Sequence, residues 1–194
     1  MRELLDAEGV DRGLRRVAGE ILERHRASRD LVLIGIRRGG IPLVRRLTSL
    51  MASLEGLEVP VGTIDITLYR DDAATAFPNP RIGPSELPAS LDDKRVILVD
   101  DVIFTGRTIR AAFDALLDYG RPRRIELFAL VDRGGRELPI QPDFLVRHVQ
   151  VSRDERVDVI PAPNDSLVVW ARPYATPTIA PPPPTRDKLE GDKS

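Results

Sequence analysis

Residues 95–119 constrain the fold of this chain more than any other stretch. The segment opens with the apolar run 96–99, Val-Ile-Leu-Val, which is rich in β-branched residues and too short for a helix. It therefore predicts a strand that is buried on both faces. After the loop 102–108, apolar residues recur at helical spacing, namely Ile109, Ala112, Phe113, Leu116 and Leu117. A buried strand that leads through a short loop into an amphipathic helix is typical of a parallel-sheet α/β protein.

The polar residues of this segment predict a binding site. Asp100 and Asp101 follow the apolar run, and the loop carries Thr105, Gly106 and Thr108. Ligands of open α/β sheets bind at the carboxyl ends of the strands, and free N–H groups at a helix start suit a phosphate. The two carboxylates suit sugar hydroxyls or a hydrated Mg²⁺ instead. Together these features predict a site for a ribose 5-phosphate.

Composition excludes several classes of protein. The chain has 194 residues, a net charge of −1 and no cysteine, so neither a disulfide framework nor a thiolate zinc site is expected. No apolar run approaches the roughly 20 residues that span a bilayer, and residues 1–10 lack the apolar region of a signal peptide. We expect a cytoplasmic protein with no membrane partner.

The remaining periodic segments alternate between helix and strand. Helices are predicted at residues 11–26 and 41–54. Strands are predicted at residues 31–36, 59–69, 124–131 and 144–151. Residues 157–160 and 167–171 flank Asn164-Asp165, which predicts a closing β-hairpin.

Two proline-rich stretches set the predicted domain limits. Residues 70–94 contain four prolines from Pro78 to Pro88 and few large apolar residues, which predicts a flexible loop. Residues 173–194 include Pro181–Pro184 and a charged end, which predicts a disordered tail. The prediction is a single domain over residues 1–172.

A second loop between a strand and a helix carries positive charge. Arg37, Arg38, Gly39 and Gly40 follow the predicted strand 31–36 and precede the helix 41–54. Glycine and arginine at such a position predict a second anion site.

The motifs resemble a known family. VILVDDVIFTGRT resembles the phosphoribosyl diphosphate (PRPP) signature of the type I phosphoribosyltransferases. With DITLYRDD at 65–72 and LVDRGGRELPI at 130–140, it resembles the bifunctional pyrimidine-operon attenuation regulators and uracil phosphoribosyltransferases, over roughly residues 14–172. The resemblance implies a type I phosphoribosyltransferase fold: a mostly parallel central sheet flanked by helices, with a small hood and a closing β-hairpin.

The resemblance also implies a reaction. Uracil and PRPP would give UMP and diphosphate with Mg²⁺, in a homodimer or a higher homo-oligomer. Two alternatives stay open at this point. One is an RNA-binding attenuation regulator with little catalysis, and the other is a phosphoribosyltransferase for another base such as hypoxanthine.

The resemblance carries functional roles to particular residues. Asp100 and Asp101 would bind the ribose diol, and Arg37, Arg38 and Arg70 would neutralise the departing diphosphate. Asp132 would bind Mg²⁺ through water or would cap a turn. The other residues implied to bind PRPP or the nucleotide are Gly39, Val102, Ile103, Phe104, Thr105, Gly106, Arg107, Thr108, Val131, Arg133 and Arg136.

This chain departs from the family pattern at two places. The family has Thr-Arg-Gly in the diphosphate loop, where this chain has Arg38-Gly39-Gly40. The family also binds a leader-transcript RNA hairpin through basic residues and histidines that this chain keeps only in part. The RNA-binding residues implied here are Arg15, Arg16, Arg136 and Arg147.

Overall fold

The computed structural model describes residues 1–25, 30–70, 85–88 and 90–174. The helices are α1 (Ala7–Arg24), α2 (Gly40–Glu55) and α3 (Arg107–Leu117), with a 3₁₀ turn at Thr67–Tyr69. The strands are β1 (Arg2–Leu5), β2 (Leu31–Ile36), β3 (Val61–Ile64), β4 (Arg95–Ile103), β5 (Arg124–Asp132), β6 (Phe144–His148), β7 (Glu155–Ala162) and β8 (Ser166–Pro173). This alternation confirms the predicted α/β class.

Two sheets form the framework. The central sheet has five strands in the order β3-β2-β4-β5-β6, and every neighbouring pair is parallel. The second sheet, which we call the hood sheet, has the order β1-β8-β7 and is antiparallel. Because β4 lies at the centre of the parallel sheet, the loop that follows it opens at the middle of the carboxyl edge.

Apolar side chains on both faces of the central sheet form the core. One cluster joins α1 and α2 to one face and includes Leu14, Leu43 and Phe128. The other joins α3 to the opposite face and includes Ile109 and Leu98. The uniformly buried strand β2 follows from its continuous apolar sequence, because a parallel strand is covered by helices on both sides.

Several element boundaries differ from the sequence prediction, and three of the differences have a clear physical cause. Helix α1 begins before residue 11, because the carboxylate of Asp6 accepts a hydrogen bond of 2.8 Å from the Gly9 N–H and caps it. Strand β3 is shorter than 59–69, because Asp65 accepts a 2.8 Å hydrogen bond from the Thr67 N–H and turns the chain. Strand β4 continues through the acid pair to Ile103, since its pairing with β5 extends to Asp132.

Strand β1 is an element that the sequence analysis missed. Arg2–Leu5 has little apolar periodicity and becomes a strand by pairing with residues 169–171 of β8. The predicted closing hairpin is confirmed as β7 and β8, and this hairpin lies at the centre and one edge of the hood sheet.

Much of the two proline-rich stretches lies outside the described residues. The part of the 70–94 loop that is described is anchored, because Glu86 pairs with Thr63 and Leu91 is buried. At the other boundary, β8 includes Pro173, and the Tyr174 N–H donates to the Asp154 carbonyl at 2.8 Å. The tail from residue 175 lies outside the description, and the single domain over 1–172 stays a prediction. None of the helices within the described ranges has the length and apolarity to cross a membrane.

Candidate active site

An acid pair lies at the carboxyl end of β4. Asp100 is 5% exposed, and its carboxylate accepts a 3.0 Å hydrogen bond from the Asp101 N–H. Asp101 in turn accepts a 2.8 Å bond from the Val102 N–H. Burial raises the pKa of the Asp100 carboxyl well above its usual range, and the neighbouring Asp101 carboxyl raises it further. Burial also raises the pKa of the Asp101 carboxyl, although the hydrogen bond from the Val102 N–H lowers it.

The loop after β4 forms a cradle at the start of α3. Gly106 has a φ of +92°, a backbone conformation that glycine adopts without strain, and it precedes the first helical residue, Arg107. No acidic residue lies in the first turn of α3, and the N-cap Gly106 has no side chain. The Thr105 hydroxyl accepts a hydrogen bond of 3.3 Å from the Arg107 N–H. A cavity of about 300 Å³ lies at this point, lined by Arg70 and residues 102–109. The predicted phosphate-binding residues therefore lie around one cavity.

Residues 133–140 fold over the cradle and are fixed by Arg136. Its guanidinium donates three hydrogen bonds of 2.8 Å, to the carbonyls of Phe104 and Ile140 and to the Asp132 carboxylate. The Arg136 side chain is 14% exposed, so this geometry favours a role in positioning the loop rather than contact with diphosphate or RNA. The Thr105 carbonyl also accepts hydrogen bonds from the N–H groups of residues 137 and 138.

Asp132 has the contacts of a turn cap. Its two carboxylate oxygens accept from the Gly134 N–H and from Arg136, each at 2.8 Å. Burial opposes ionisation, but these hydrogen bonds outweigh it and lower the pKa of Asp132. The structure thus shows the contacts of the cap, and the binding of Mg²⁺ through water by Asp132 stays a prediction.

Phe104 forms one wall of the site mouth. Its ring is 39% exposed, and the Arg133 guanidinium lies over it at 4.0 Å from the ring centroid. Arg133 also donates to the Tyr174 hydroxyl at 3.3 Å. Gly135 lies beneath the ring, where an added Cβ would come within 2.5 Å of the Phe104 Cε2 atom. The loop after β5 thus encloses Phe104 from two sides.

The glycine–arginine loop after β2 lies directly beside the acid pair. A Cβ at Gly39 would overlap the Asp101 carboxylate, and one at Gly40 would overlap the Val99 carbonyl. Only glycine permits this close packing of the loop on β4. Arg37 is partly buried and its Nε has no hydrogen-bond partner within the described part of the chain, whereas Arg38 is exposed. The two predicted anion loops therefore meet at the acid pair.

The residues implied to bind RNA lie on the side of α1 and β6. Arg16 pairs with Glu20 and donates to the carbonyls of Leu145 and Val146, at 2.9 and 3.2 Å. These contacts tie α1 to β6, so Arg16 has a structural task that the sequence did not indicate. Arg15 and Arg147 are exposed. None of these three arginines lines a described cavity of the acid-pair region.

A parallel sheet whose central strand carries an acid pair near its carboxyl end, followed by a cradle at the start of a helix, defines a type I phosphoribosyltransferase. The family model described as phosphoribosyl transferase domain matches residues 1–158. Proteins named bifunctional protein PyrR are similar over most of their length. The one from Geobacter sulfurreducens is 54% identical over 157 residues, which cover 81% of this chain and 89% of the relative. That from Roseiflexus sp. is 50% identical, covering 80% and 85%. The chain belongs to the phosphoribosyltransferase family and, within it, to the bifunctional PyrR proteins.

Solved structures give the same fold. The hypoxanthine phosphoribosyltransferase of Trypanosoma cruzi in complex with IMP has a TM-score of 0.66 at 18% identity, covering 87% of this chain and 89% of that one. The hypoxanthine enzyme of Staphylococcus aureus has a TM-score of 0.62 at 17% identity, covering 78% and 80%. At this identity the likeness shows the fold alone, and it carries no argument for hypoxanthine as the base.

Proposed function

We propose that this enzyme transfers the phosphoribosyl group of PRPP to uracil, which gives UMP and diphosphate. The observation that carries the proposal is the buried acid pair beside the cradle of residues 102–109. A phosphate site next to a pair of hydroxyl-binding carboxylates matches the two halves of ribose 5-phosphate. The base is inferred from the motifs of the chain and from its kinship with the PyrR proteins.

The proposed mechanism depends on positioning and charge. As the bond from C1 to diphosphate breaks, the ribosyl group gains positive charge, which nearby carboxylates stabilise. Asp100 and Asp101 would bind the ribose hydroxyls and supply that charge. Arg37, Arg38 and Arg70 would neutralise the diphosphate, and the N–H groups at the start of α3 would bind the 5-phosphate. The enclosed Phe104 would contact the base.

The acid pair is compatible with Mg²⁺. The described residues contain no cluster of three or more possible metal ligands, so the protein alone offers no closed cage. Mg²⁺ usually keeps several waters and is bound by one or two carboxylates together with substrate phosphates. Asp100 and Asp101 fit that pattern, whereas both oxygens of Asp132 are engaged. When bound with PRPP, Mg²⁺ would help to neutralise the leaving diphosphate.

Turnover with a panel of bases tests the proposal. The purified protein is incubated with PRPP, Mg²⁺ and uracil, hypoxanthine, guanine or adenine, and diphosphate release is measured. We expect kcat/KM for uracil to exceed that for each purine by at least about a hundredfold, a difference of about 2.7 kcal/mol in transition-state binding. A preference for hypoxanthine would overturn the assignment of the base but not the class of reaction.

A second candidate function is RNA binding. One observation favours it: Arg15 on α1 and Arg147 on β6 are exposed and have no ion-pair partner among the described residues. The α1 and β6 elements pack together, since Gly13 contacts the Val146 side chain, so the two exposed arginines are carried by adjoining elements on this side of the domain. We propose this side, shared across a homodimer, as the surface for a leader-transcript hairpin.

A salt titration separates the two functions. The double variant Arg15→Ala with Arg147→Ala should keep uracil turnover within twofold while weakening RNA binding. The slope of log K against log salt should fall by roughly one unit for each phosphate that the variant no longer binds. Arg121→Ala, at the opposite end of the sheet, is the control and should change neither quantity. Unchanged RNA affinity in the double variant would contradict this surface.

A further inference from the structure

A large cavity extends from the acid pair along α2. Its volume is about 760 Å³, and it lies between α2 and the turn of the β7–β8 hairpin. On α2 the lining residues are Pro42, Arg45, Arg46 and Ser49, which recur at helical spacing and form one ridge. The opposite face of α2 is buried in the core through Leu43, Val44, Leu47 and Met51. The ridge is therefore held rigidly in front of the cavity.

The charges around this cavity are not balanced by the protein itself. Arg46 is paired with Asp11 of α1. Arg38 and Arg45 are exposed, and neither has an ion-pair partner among the residues that the structure describes. The carboxylates that line the cavity are those of Asp101, whose pKa is raised by burial, and Asp165 in the hairpin turn. Two unpaired guanidinium groups in one cavity suit a ligand of high negative charge.

Arg45 lines the same cavity as Arg38 and Gly39, so its positive charge lies near the diphosphate loop. Helix α2 begins at Gly40 with no acidic residue in its first turn and no side-chain cap. Gly39 supplies no cation, and the Asp101 carboxylate leaves no room there for a longer side chain. Long side chains on a helix lean toward its N-terminus and cover the residues three and four positions before them, so Arg45 lies on the Pro42 side of α2, facing the start of the helix.

We propose that Arg45 is a diphosphate-binding residue, which with Arg38 neutralises the leaving group of PRPP from the α2 side. The inference rests on the proposed phosphoribosyl transfer and adds a residue to it. PRPP and free diphosphate use this contact. UMP has no diphosphate and does not use it, so Arg45 discriminates between ligands that carry a diphosphate group and UMP, which does not.

Calorimetric titration of the full chain with PRPP, diphosphate and UMP, each with Mg²⁺, tests the proposal. In Arg45→Met we expect the Kd for PRPP and for diphosphate to rise about tenfold, equivalent to about 1.4 kcal/mol, and the Kd for UMP to stay within twofold. Arg45→Lys keeps the charge and should recover part of the affinity. Arg46→Met is the matched control, because its guanidinium lines the same cavity but is already paired with Asp11.

Three outcomes would overturn the assignment. The first is an unchanged PRPP affinity in Arg45→Met, and the second is an equal loss of affinity for PRPP and UMP in that variant. The third is a loss of PRPP affinity in Arg46→Met as large as in Arg45→Met, because this would show a general effect of positive charge in the cavity. The titrations with PRPP use no base, so they stand whichever base the enzyme accepts. If the wild type turns over uracil and Arg45→Met binds PRPP normally, only the role of Arg45 is rejected. If the wild type is inactive with uracil but Arg45→Met binds PRPP more weakly, only the choice of uracil as the base is rejected.

Discussion

Each end of the central sheet holds buried carboxylates, but the acid pair at the carboxyl end, unlike Glu126 at the amino end, has no cation paired with it among the described residues. At the amino end, Glu126 of β5 is 1% exposed and lies 2.7 Å from His25 Nε2, 3.2 Å from Arg124 and 3.3 Å from Arg24. At the carboxyl end, Asp100 lies against the carboxyl of Asp101, and no salt bridge joins either of them to a cation within the described residues.

The difference separates stability from function. A buried carboxylate that is matched by cations joins two elements, here the end of α1 and the start of β5. A buried acid pair without a cation costs folding free energy and persists only where a ligand uses it. Arg38 and Arg45 at the same end are also unpaired charges that a ligand would use, but they are positive, so they suit a negatively charged group.

The largest expected effect comes from breaking the amino end. Glu126→Ala leaves the surrounding cations without their shared acid, and we expect the free energy of unfolding to fall by about 3 kcal/mol. Uracil turnover at 25 °C should stay within twofold, because Glu126 lies at the end of the sheet remote from the cradle. Chemical denaturation and steady-state kinetics measure the two quantities.

Arg124→Ala provides the control for this variant. Its side chain is 60% exposed, and exposed ion pairs contribute less than about 1 kcal/mol. If Glu126→Ala destabilises no more than Arg124→Ala, the amino end is not held by the buried carboxylate.

At the carboxyl end we expect a smaller effect, in which turnover falls and stability does not. Asp100→Asn and Asp101→Asn should each lower uracil turnover at least tenfold, or about 1.4 kcal/mol in the barrier. Because burial raises the pKa of Asp100, the neutral amide should also raise Tm, by about 2–4 °C for each kcal/mol recovered in a domain of this size. Wild-type turnover together with a lowered Tm would assign the pair to the framework instead of to the reaction.

The smallest effect is a dependence of stability on pH at the amino end. Burial lowers the pKa of His25 below 6.5, against the raising effect of Glu126, while Arg95 and Arg24 lower it further. The unfolded chain takes up a proton near pH 6.5, and folded His25 does so only at lower pH. Stability from this group is therefore present above pH 6.5 and is lost as the pH falls through the folded pKa.

Replacement of His25 isolates this contribution. We expect His25→Gln to reduce the slope of unfolding free energy against pH between pH 7.5 and 5, by up to about 1.4 kcal/mol per pH unit for one proton. Thermal or urea unfolding at several pH values gives the slope. The same slope in the wild type and the variant would show that His25 is not the titrating group.

The sequence predicts much of the fold because the central strands carry their own signals. The apolar runs of β2 and β4 and the periodicity of α2 and α3 are local, so reading them needs no tertiary information. Strand β1 carries no such signal, because Arg2–Leu5 becomes a strand only through β8 at the far end of the chain. The extension of β4 through Asp100 and Asp101 was likewise hidden, since two adjacent acids resemble a strand end.

The residues of the candidate site can likewise be divided into those with a local sequence signal and those whose role depends on distant contacts. Asp100, Asp101 and the cradle residues lie in one segment, so the sequence alone groups them. The cradle residues line one cavity, and Asp101 lines the neighbouring cavity along α2. The engagement of Arg136 with Asp132, and of Arg16 with the edge of β6, depends on contacts between distant segments. No sequence signal singled out Arg45, because its place beside the cavity depends on the β7–β8 hairpin, which lies far away in the sequence.

The pairing of β1 with β8 has a consequence for the order of folding. Among the described strands, the first along the chain pairs with the last, so Arg2–Leu5 stays without its partner until nearly the whole described chain has been made. Contacts between such distant residues close late, because the chain loses loop entropy before it gains them. The hood sheet therefore completes after the parallel sheet that it covers, and the cavity between α2 and the hairpin takes its final shape at that last step.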